Sequence, residues 1–497
     1  MFDKVLIANR GEIAVRVIRA CHEEGLDTVA VYSDVDRRAP HVLLADEAIR
    51  IGGAAAAESY LSIDKLLAAA EATGAGAVHP GYGFLAENAG FARAVGAAGL
   101  VHVGPPAEAI EIMGDKTRAR ARMVGAGVPV IPGSDPLASA REAVLAAREI
   151  GFPILLKAAA GGGGKGMHVV SDAEEMAGAF GQATREAQSA FGDGRVFAER
   201  FLRSPRHIEI QVLADDERTV DFGERECSIQ RRHQKLIEEA PSTAIDDVLR
   251  RRMAEVAVRA ARAVGYRGAG TVEFLVEGGE FFFLEMNTRI QVEHPVTELV
   301  TGVDLVRQQL RVARGLPLLG GGDPPTARGH AIECRINAED PAAGFLPSIG
   351  RIDRLEVPTG PGVRWDGGIR NGSEVGLHYD SLLGKLVVHA PDREAAIRRM
   401  RSALEGLVIG GVETTVPWHL AVMDEPDYRA NALSIRYVEE HPGLGEVADP
   451  GLRDVALAAA VLLADQDRPR VVVSGGGRRA RDGGNGLSAW MRAGREW

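Results

Sequence analysis

Two strand-like segments meet at Gly278-Gly279, and both carry carboxylates among apolar residues. The first runs Gly270-Thr271-Val272-Glu273-Phe274-Leu275-Val276-Glu277. The second opens with Glu280 and the apolar run Phe281 to Leu284, then continues Glu285-Met286-Asn287-Thr288-Arg289-Ile290-Gln291-Val292-Glu293-His294. Extended segments joined by a short glycine turn read as a β-hairpin. Alternate side chains of a strand share a face, so if the strand persists Glu285, Asn287 and Arg289 point one way, with Gln291 and Glu293 next in that series. The register stays open at this point. A two-residue turn pairs Glu273 with Leu284 and turns it away from Glu285, whereas a three-residue loop or a bulge pairs Glu273 with Glu285. In the second case two carboxylates, an amide and a guanidinium line one wall, a set that suits a divalent cation holding phosphate oxygens. In the first case the acids are solvated residues of a half-exposed hairpin.

Taken with Ser228-Ile229-Gln230-Arg231-Arg232-His233-Gln234-Lys235 on one side and Glu333-Cys334-Arg335-Ile336-Asn337-Ala338-Glu339-Asp340 on the other, the segment Glu273 to His294 closely resembles biotin carboxylase. That family is the ATP-grasp component of biotin-dependent acyl-CoA carboxylases. The resemblance begins at Val5-Leu6-Ile7-Ala8-Asn9-Arg10-Gly11-Glu12-Ile13 and runs to about Pro442. It implies an α/β chain with the ATP-grasp fold. Residues 1–114 would form a doubly wound N-terminal α/β domain and 115–334 the ATP-grasp domain, with a mobile glycine-rich lid at about 132–203. Residues 335–442 would form a β-rich C-terminal carboxylase domain, leaving 443–497 as a docking segment or linker.

At 497 residues the chain exceeds one ordinary core, and roughly 150 residues per domain suggests about three units. Hydrophobic content of 45% beside 26% charged residues is that of a globular protein. A net charge of −11 argues against a nucleic-acid surface. Cys21, Cys227 and Cys334 stand apart, so neither a disulfide framework nor a zinc site is expected. The N-terminal residues lack a secretory pattern, and the late apolar run Val455 to Ala464 is too short for a bilayer core of roughly 30 Å. The expectation is a cytoplasmic protein with no membrane segment. Only seven of the 58 basic residues are lysines, and four of those lie between Lys116 and Lys235. An ammonium and a guanidinium are not interchangeable at a phosphate, so a chain that prefers arginine keeps some lysines for a reason.

Residues 1–114 alternate strand and helix signals, with strands at Val5 to Ala8, Thr28 to Ser33 and before His79, and a helix at Gly11 to Glu24. No G-x-G-x-x-G follows the first strand, so a dinucleotide site is not supported. The resemblance implies that Lys116 contacts nucleotide phosphates. Further on, Gly161 to Gly164 let backbone amides approach an anion without a Cβ in the way. This is not a Walker loop, because Gly166 follows Lys165 where Ser or Thr should stand, and Met167 to Val170 looks like a strand. By resemblance Gly163 and Gly164 belong to the ATP-grasp lid and Lys157 meets a phosphate. Glu199, Arg200, Phe201 and Leu202 match the hinge whose backbone reads adenine, with Arg200 replacing the lysine often found there. His207, Gln230 and His233 are assigned to the nucleotide by the same resemblance.

The implied reaction joins bicarbonate to biotin with ATP. Glu293 would be the general base on bicarbonate, whose attack on the γ-phosphate gives carboxyphosphate. Arg289, Lys235 and the backbone of Val292 would hold the anion. Glu273, Glu285 and Asn287 would hold Mg2+ or Mn2+, with the two glutamates also facing ATP. Arg335 would stabilise the ureido oxygen of biotin as it becomes enolate-like, a fixed cation aimed at developing charge. Lys385 lacks flanking methionines, so biotin is expected on a carrier protein or domain rather than on this chain. A carboxyltransferase and a homo-oligomer complete the expected assembly. Another ATP-grasp ligase of the carbamoyl type, or a non-catalytic scaffold of a carboxylase complex, are the alternatives.

Overall fold

The computed structural model describes residues 2–159, 167–318 and 324–445. Valine, isoleucine, leucine and alanine fill the first strands, and runs of that kind suit parallel strands covered on both faces. Five parallel strands form a sheet in the spatial order Glu47–Gly52, Asp27–Ser33, Lys4–Ile7, Ala77–His79, Val101–His102. The helix Gly11–Glu23 lies against it through Ile13, Ala14, Val17, Ile18 and Cys21, all buried. This is the doubly wound unit expected at the N-terminus.

A second sheet has eight antiparallel strands in the order Glu280–Asn287, Gly268–Glu277, Arg206–Ala214, Thr219–Arg231, Gln234–Ala240, His330–Asn337, Leu382–Ala390, Val363–Gly367. The division expected at 334/335 falls inside the strand His330–Asn337, so one sheet runs through it. Alternation decides what each face does. Ile208, Ile210 and Val212, with Val272 and Phe274, pack against Met253, Val256 and Ala257 of the helix Asp247–Ala263. The residues between them, His207, Glu209, Gln211, Thr271 and Glu273, therefore share the opposite face. Toward the far end, Ile332, Leu386, Met400, Leu404 and Trp418 make a separate core under the helices Arg393–Gly406 and Val416–Asp424.

Three shorter strands, His168–Val170, Ile154–Ala158 and Val196–Arg200, form a small antiparallel sheet backed by the helices Ala140–Ile150 and Met176–Phe191. Its core is Ala143, Ala147, Ile154, Leu156, Met176 and Ala183. The two strands expected to flank the glycine run are present and paired, while Gly163 and Gly164 fall outside the described residues. The tail reading for 443–497 lies almost wholly outside them as well. Among the described residues no helix is long and apolar enough to cross a membrane.

Candidate active site

The hairpin register resolves as the bulged alternative, on a two-residue turn. Gly278 and Gly279 sit at φ +61° and +80° and close a two-residue turn between Glu277 and Glu280. Left-handed φ at both central positions is what glycine supplies most readily there. Phe274 then pairs with Phe283, but Glu273 pairs with Glu285, leaving Leu284 as the extra residue of a β-bulge. The two carboxylates consequently face the same side. Along the same row, Glu209 stands opposite Glu273 and Arg225 opposite Glu209. One step along, Leu275 pairs with Phe282, and these pack with Ile131 and Leu202 into an apolar floor beside the acids.

Lys235 sits at the centre of the acids. Its ammonium donates to Glu209 Oε2 at 2.6 Å, Glu273 Oε1 at 2.9 Å and Glu293 Oε1 at 2.6 Å. Arg225 is fully buried beneath and uses its whole fork: Nε to Glu209 at 2.5 Å, Nη1 to Gln211 and Thr297, Nη2 to Thr271 and to Gln291 Oε1. Gln291 in turn donates to Glu273 Oε1 at 2.7 Å. Buried charges persist only when paired and hydrogen-bonded, and Glu209, Glu273 and Glu293 each meet a cation. Burial by itself would raise the pKa of Glu273, but Lys235 and His207, the latter 3.0 Å away, hold it well below the carboxylate range. Glu293 behaves likewise, with Lys235, Arg335 and Arg225 outweighing its burial.

The strand ends at Asn287, so the alternation expected to carry Arg289, Gln291 and Glu293 onto one face stops there, and the segment that follows folds back over this row. Arg289 donates through Nη2 to Asn287 Oδ1 at 2.7 Å and through Nε to Glu87 Oε2 at 2.9 Å. Arg335 reaches Glu238 Oε1 with Nε at 2.6 Å and Glu293 Oε2 with Nη2 at 2.8 Å. Glu293 thus has Lys235 on one oxygen and Arg335 on the other, an ionised base held in one orientation. Glu238 differs: burial pushes its pKa up to about 7, against the pull of Arg335. Neighbouring Glu333, fully buried with no hydrogen-bond partner on either oxygen, is driven well above the ordinary range by burial.

The donor set suits a hard cation. Glu285 is exposed along the cleft, and among the described residues it makes no hydrogen bond or ion pair. Desolvation by the surrounding cleft walls and then the Glu273 charge raise its pKa, a cost that a cation held beside the two carboxylates would offset. Asn287 donates to Glu273 at 2.8 Å and offers Oδ1, which currently accepts from Arg289. Oxygen donors from two adjacent strands match the preference of Mg2+ for a few carboxylates plus phosphate oxygens.

Several expected residues stand apart from this centre. Lys116 is exposed at the start of the helix Lys116–Gly125, capped by Asp115. His233, at φ +66°, occupies the exposed tip of the Thr219–Arg231 and Gln234–Ala240 hairpin. Gln230 lies lower on the same hairpin, 3.4 Å from His207 Nδ1. Lys157 and Glu199 form their own pair at 2.5 Å across the small sheet. Arg200 is drawn to Glu280 at 2.9 Å with its guanidinium over Phe282, while Phe201 is half-buried and Leu202 lies in the apolar floor.

Arg225, Glu209, Glu87, Glu238 and Lys385 carry the site's geometry without having been singled out by motif. One signal was available for Glu209: a charged residue inside the apolar alternation Ile208 to Val212 must either face water or meet a buried cation. Lys385 carries the same signal within Leu382 to Val388, whereas no comparable pattern marks Arg225.

A long antiparallel sheet faced by paired acids, beside a small three-stranded antiparallel sheet, defines an ATP-grasp enzyme site. Residues 115–320 match the carbamoyl-phosphate synthase L chain ATP-binding domain, 1–110 the biotin carboxylase N-terminal domain and 333–440 the biotin carboxylase C-terminal domain. The chain belongs to the biotin carboxylase family. It is 51% identical to the biotin carboxylase of Haemophilus influenzae over 450 residues, 90% of this chain and 100% of that one. It is 49% identical to the propionyl-CoA carboxylase alpha chain of Ruegeria pomeroyi, over 96% of this chain and 74% of that one. Among solved structures, the biotin carboxylase domain dimer of the Hydrogenobacter thermophilus 2-oxoglutarate carboxylase, in complex with MgADP, ADP and bicarbonate, superposes with a TM-score of 0.82. It is 48% identical, over 90% of this chain and 100% of that chain.

Proposed function

We propose that this enzyme, an ATP-dependent ligase, carboxylates biotin with bicarbonate through the residues gathered around Lys235. The observation that carries the assignment of roles is the double grip on Glu293, one oxygen on Lys235 and the other on Arg335, beside the Glu273 and Glu285 pair. Glu293 takes the proton of bicarbonate, and the resulting anion attacks the γ-phosphate of ATP to give carboxyphosphate and ADP. Lys235, Arg289 and the Val292 backbone hold the anion during that attack. Glu273, Glu285 and Asn287 hold Mg2+, which when bound offsets the charge of the phosphates. Phosphoryl transfer depends chiefly on such positioning and charge stabilisation.

Carboxyphosphate then breaks into CO2 and phosphate, the phosphate accepts the N1 proton of biotin, and N1 attacks CO2. Arg335 faces the ureido oxygen, where negative charge develops. The apolar floor of Ile131, Leu202, Leu275 and Phe282 suits the adenine ring, with Glu199 to Leu202 as the hinge beside it and His207, Gln230 and His233 on the nucleotide side. Lys116, Lys157, Gly163 and Gly164 serve the phosphates, and closure of the lid keeps water from the intermediate. Biotin arrives on a separate carrier protein or domain, a carboxyltransferase takes the product, and the chain assembles as a homo-oligomer in the cytoplasm. The buried free thiols of Cys21, Cys227 and Cys334 suit that reducing compartment.

ADP release from ATP, measured with bicarbonate and with or without free biotin, tests the reading. The expected result is release that needs bicarbonate and rises with biotin. Release that needs an amine instead indicates a carbamoyl-type ligase, and no bicarbonate-dependent release indicates a scaffold; either overturns the proposal.

A further inference from the structure

Lys385 is completely buried, and it stands in the strand Leu382–Ala390 directly opposite Arg335. A buried ammonium is costly unless every proton finds an acceptor and a counter-charge lies close. Its nearest acceptor is the carbonyl of Val292, at 2.8 Å. Glu12 Oε1 lies at 3.2 Å and Asp366 Oδ2 at 3.9 Å. Asp366 is already engaged by Arg364 at 2.9 and 2.6 Å, which leaves Glu12 as the principal counter-charge.

Directly opposed residues of an antiparallel pair project from the same face, so Arg335 and Lys385 point together at the segment that follows the metal hairpin. They take consecutive residues of it. Arg335 holds the side chain of Glu293 at 2.8 Å, and Lys385 holds the backbone immediately before it. Glu12 enters from the first turn of the N-terminal helix, and Tyr82 donates to the same Oε1 that faces Lys385. The Val292 carbonyl is thereby tied, through one buried lysine, to the parallel-sheet domain.

The geometry points to Lys385 as a positioning residue for the carboxylation reaction: by fixing the Val292–Glu293 peptide plane it aims the Glu293 carboxylate between Lys235 and Arg335. A peptide unit is planar, so a carbonyl held in one direction sends the Glu293 N–H the opposite way and limits where the Glu293 side chain can start. A base must lie within hydrogen-bond reach of the proton it removes, and a displacement of about 1 Å at such a centre costs about 100-fold in rate. The inference rests on the role of Glu293 proposed above.

Lys385→Met and Lys385→Arg, assayed by bicarbonate-dependent ADP release alongside nucleotide affinity and thermal melting, test it. The expected result for Lys385→Met is kcat lowered about 100-fold with KM for ATP changed by no more than about threefold, because the nucleotide-binding groups remain. Lys385→Arg, which keeps a cation at Val292, recovers at least about tenfold of that loss. Should Lys385→Met fail to fold, Glu12→Gln decides by the same split, with kcat down about tenfold and KM for ATP unmoved. Wild-type kcat in the folded variant, or kcat and KM for ATP degraded together with no rescue by arginine, overturns the positioning role. A wild-type protein without bicarbonate-dependent release overturns instead the reading on which it rests.

Discussion

Glu273 and Glu285 oppose each other across the hairpin because Leu284 is bulged out of the ladder. Their surroundings differ sharply. Glu273 accepts from Lys235, Asn287 and Gln291 and lies 3.0 Å from His207, whereas Glu285 has no partner among the described residues.

That asymmetry separates two substitutions. Glu285→Gln removes no hydrogen bond, so stability is expected to stay within about 0.5 kcal/mol of wild type, while the Mg2+ requirement rises and kcat falls about 100-fold. Glu273→Gln strips the charge from four donors and is expected to destabilise by about 1–3 kcal/mol as well. Urea unfolding beside Mg2+ titration of ADP release checks both.

Arg225 has no exposed surface and binds five acceptors. Replacing it with methionine leaves Glu209 beside Lys235 without its second cation and strands the oxygens of Gln211 and Gln291. The expected loss is about 3–5 kcal/mol, the scale for breaking a buried ion pair. Denaturant midpoints at constant pH and salt measure it.

Glu238 gives a pH signature. Its folded-state pKa is raised by burial to about 7, from an ordinary value near 4.5. Because the folded state keeps a proton that the unfolded state has released, its contribution is fully present below about pH 4.5 and is lost as pH rises to about 7. Glu238→Gln removes that dependence. Between pH 4.5 and 7.5 the wild type is expected to lose about 3 kcal/mol relative to the variant, with no further change above that range. Chemical unfolding across the window gives the slope directly.

How much of this was legible follows from what each residue shows to a one-dimensional reading. Glu285 and Asn287 carry period-two spacing within one strand, so their shared face could be read, whereas that strand ends at Asn287, and Arg289 and Glu293 reach the site on the segment that folds back. Which register the hairpin takes could not be read, since a bulge at Leu284 leaves no mark in composition and the glycine turn is compatible with either count. Lys235 and Arg335 were legible through their local motifs, although the motif does not reveal that Lys235 is surrounded by three carboxylates. The partners of Arg225 and Lys385 were invisible, because they lie tens to hundreds of residues away and only the assembled sheet brings them together. The strand order likewise could not be read: the His330–Asn337 strand joins the central sheet beside Gln234–Ala240, a pairing set by tertiary packing and not by any nearby turn.

The most direct test of the account is transfer of labelled carbon from bicarbonate to free biotin, with MgATP, by the wild type and by Glu293→Gln and Arg289→Ala. The wild type should label biotin, and both variants should fold cooperatively and bind ATP normally while labelling falls by about 100-fold or more. Labelling by both variants at close to the wild-type rate would contradict it.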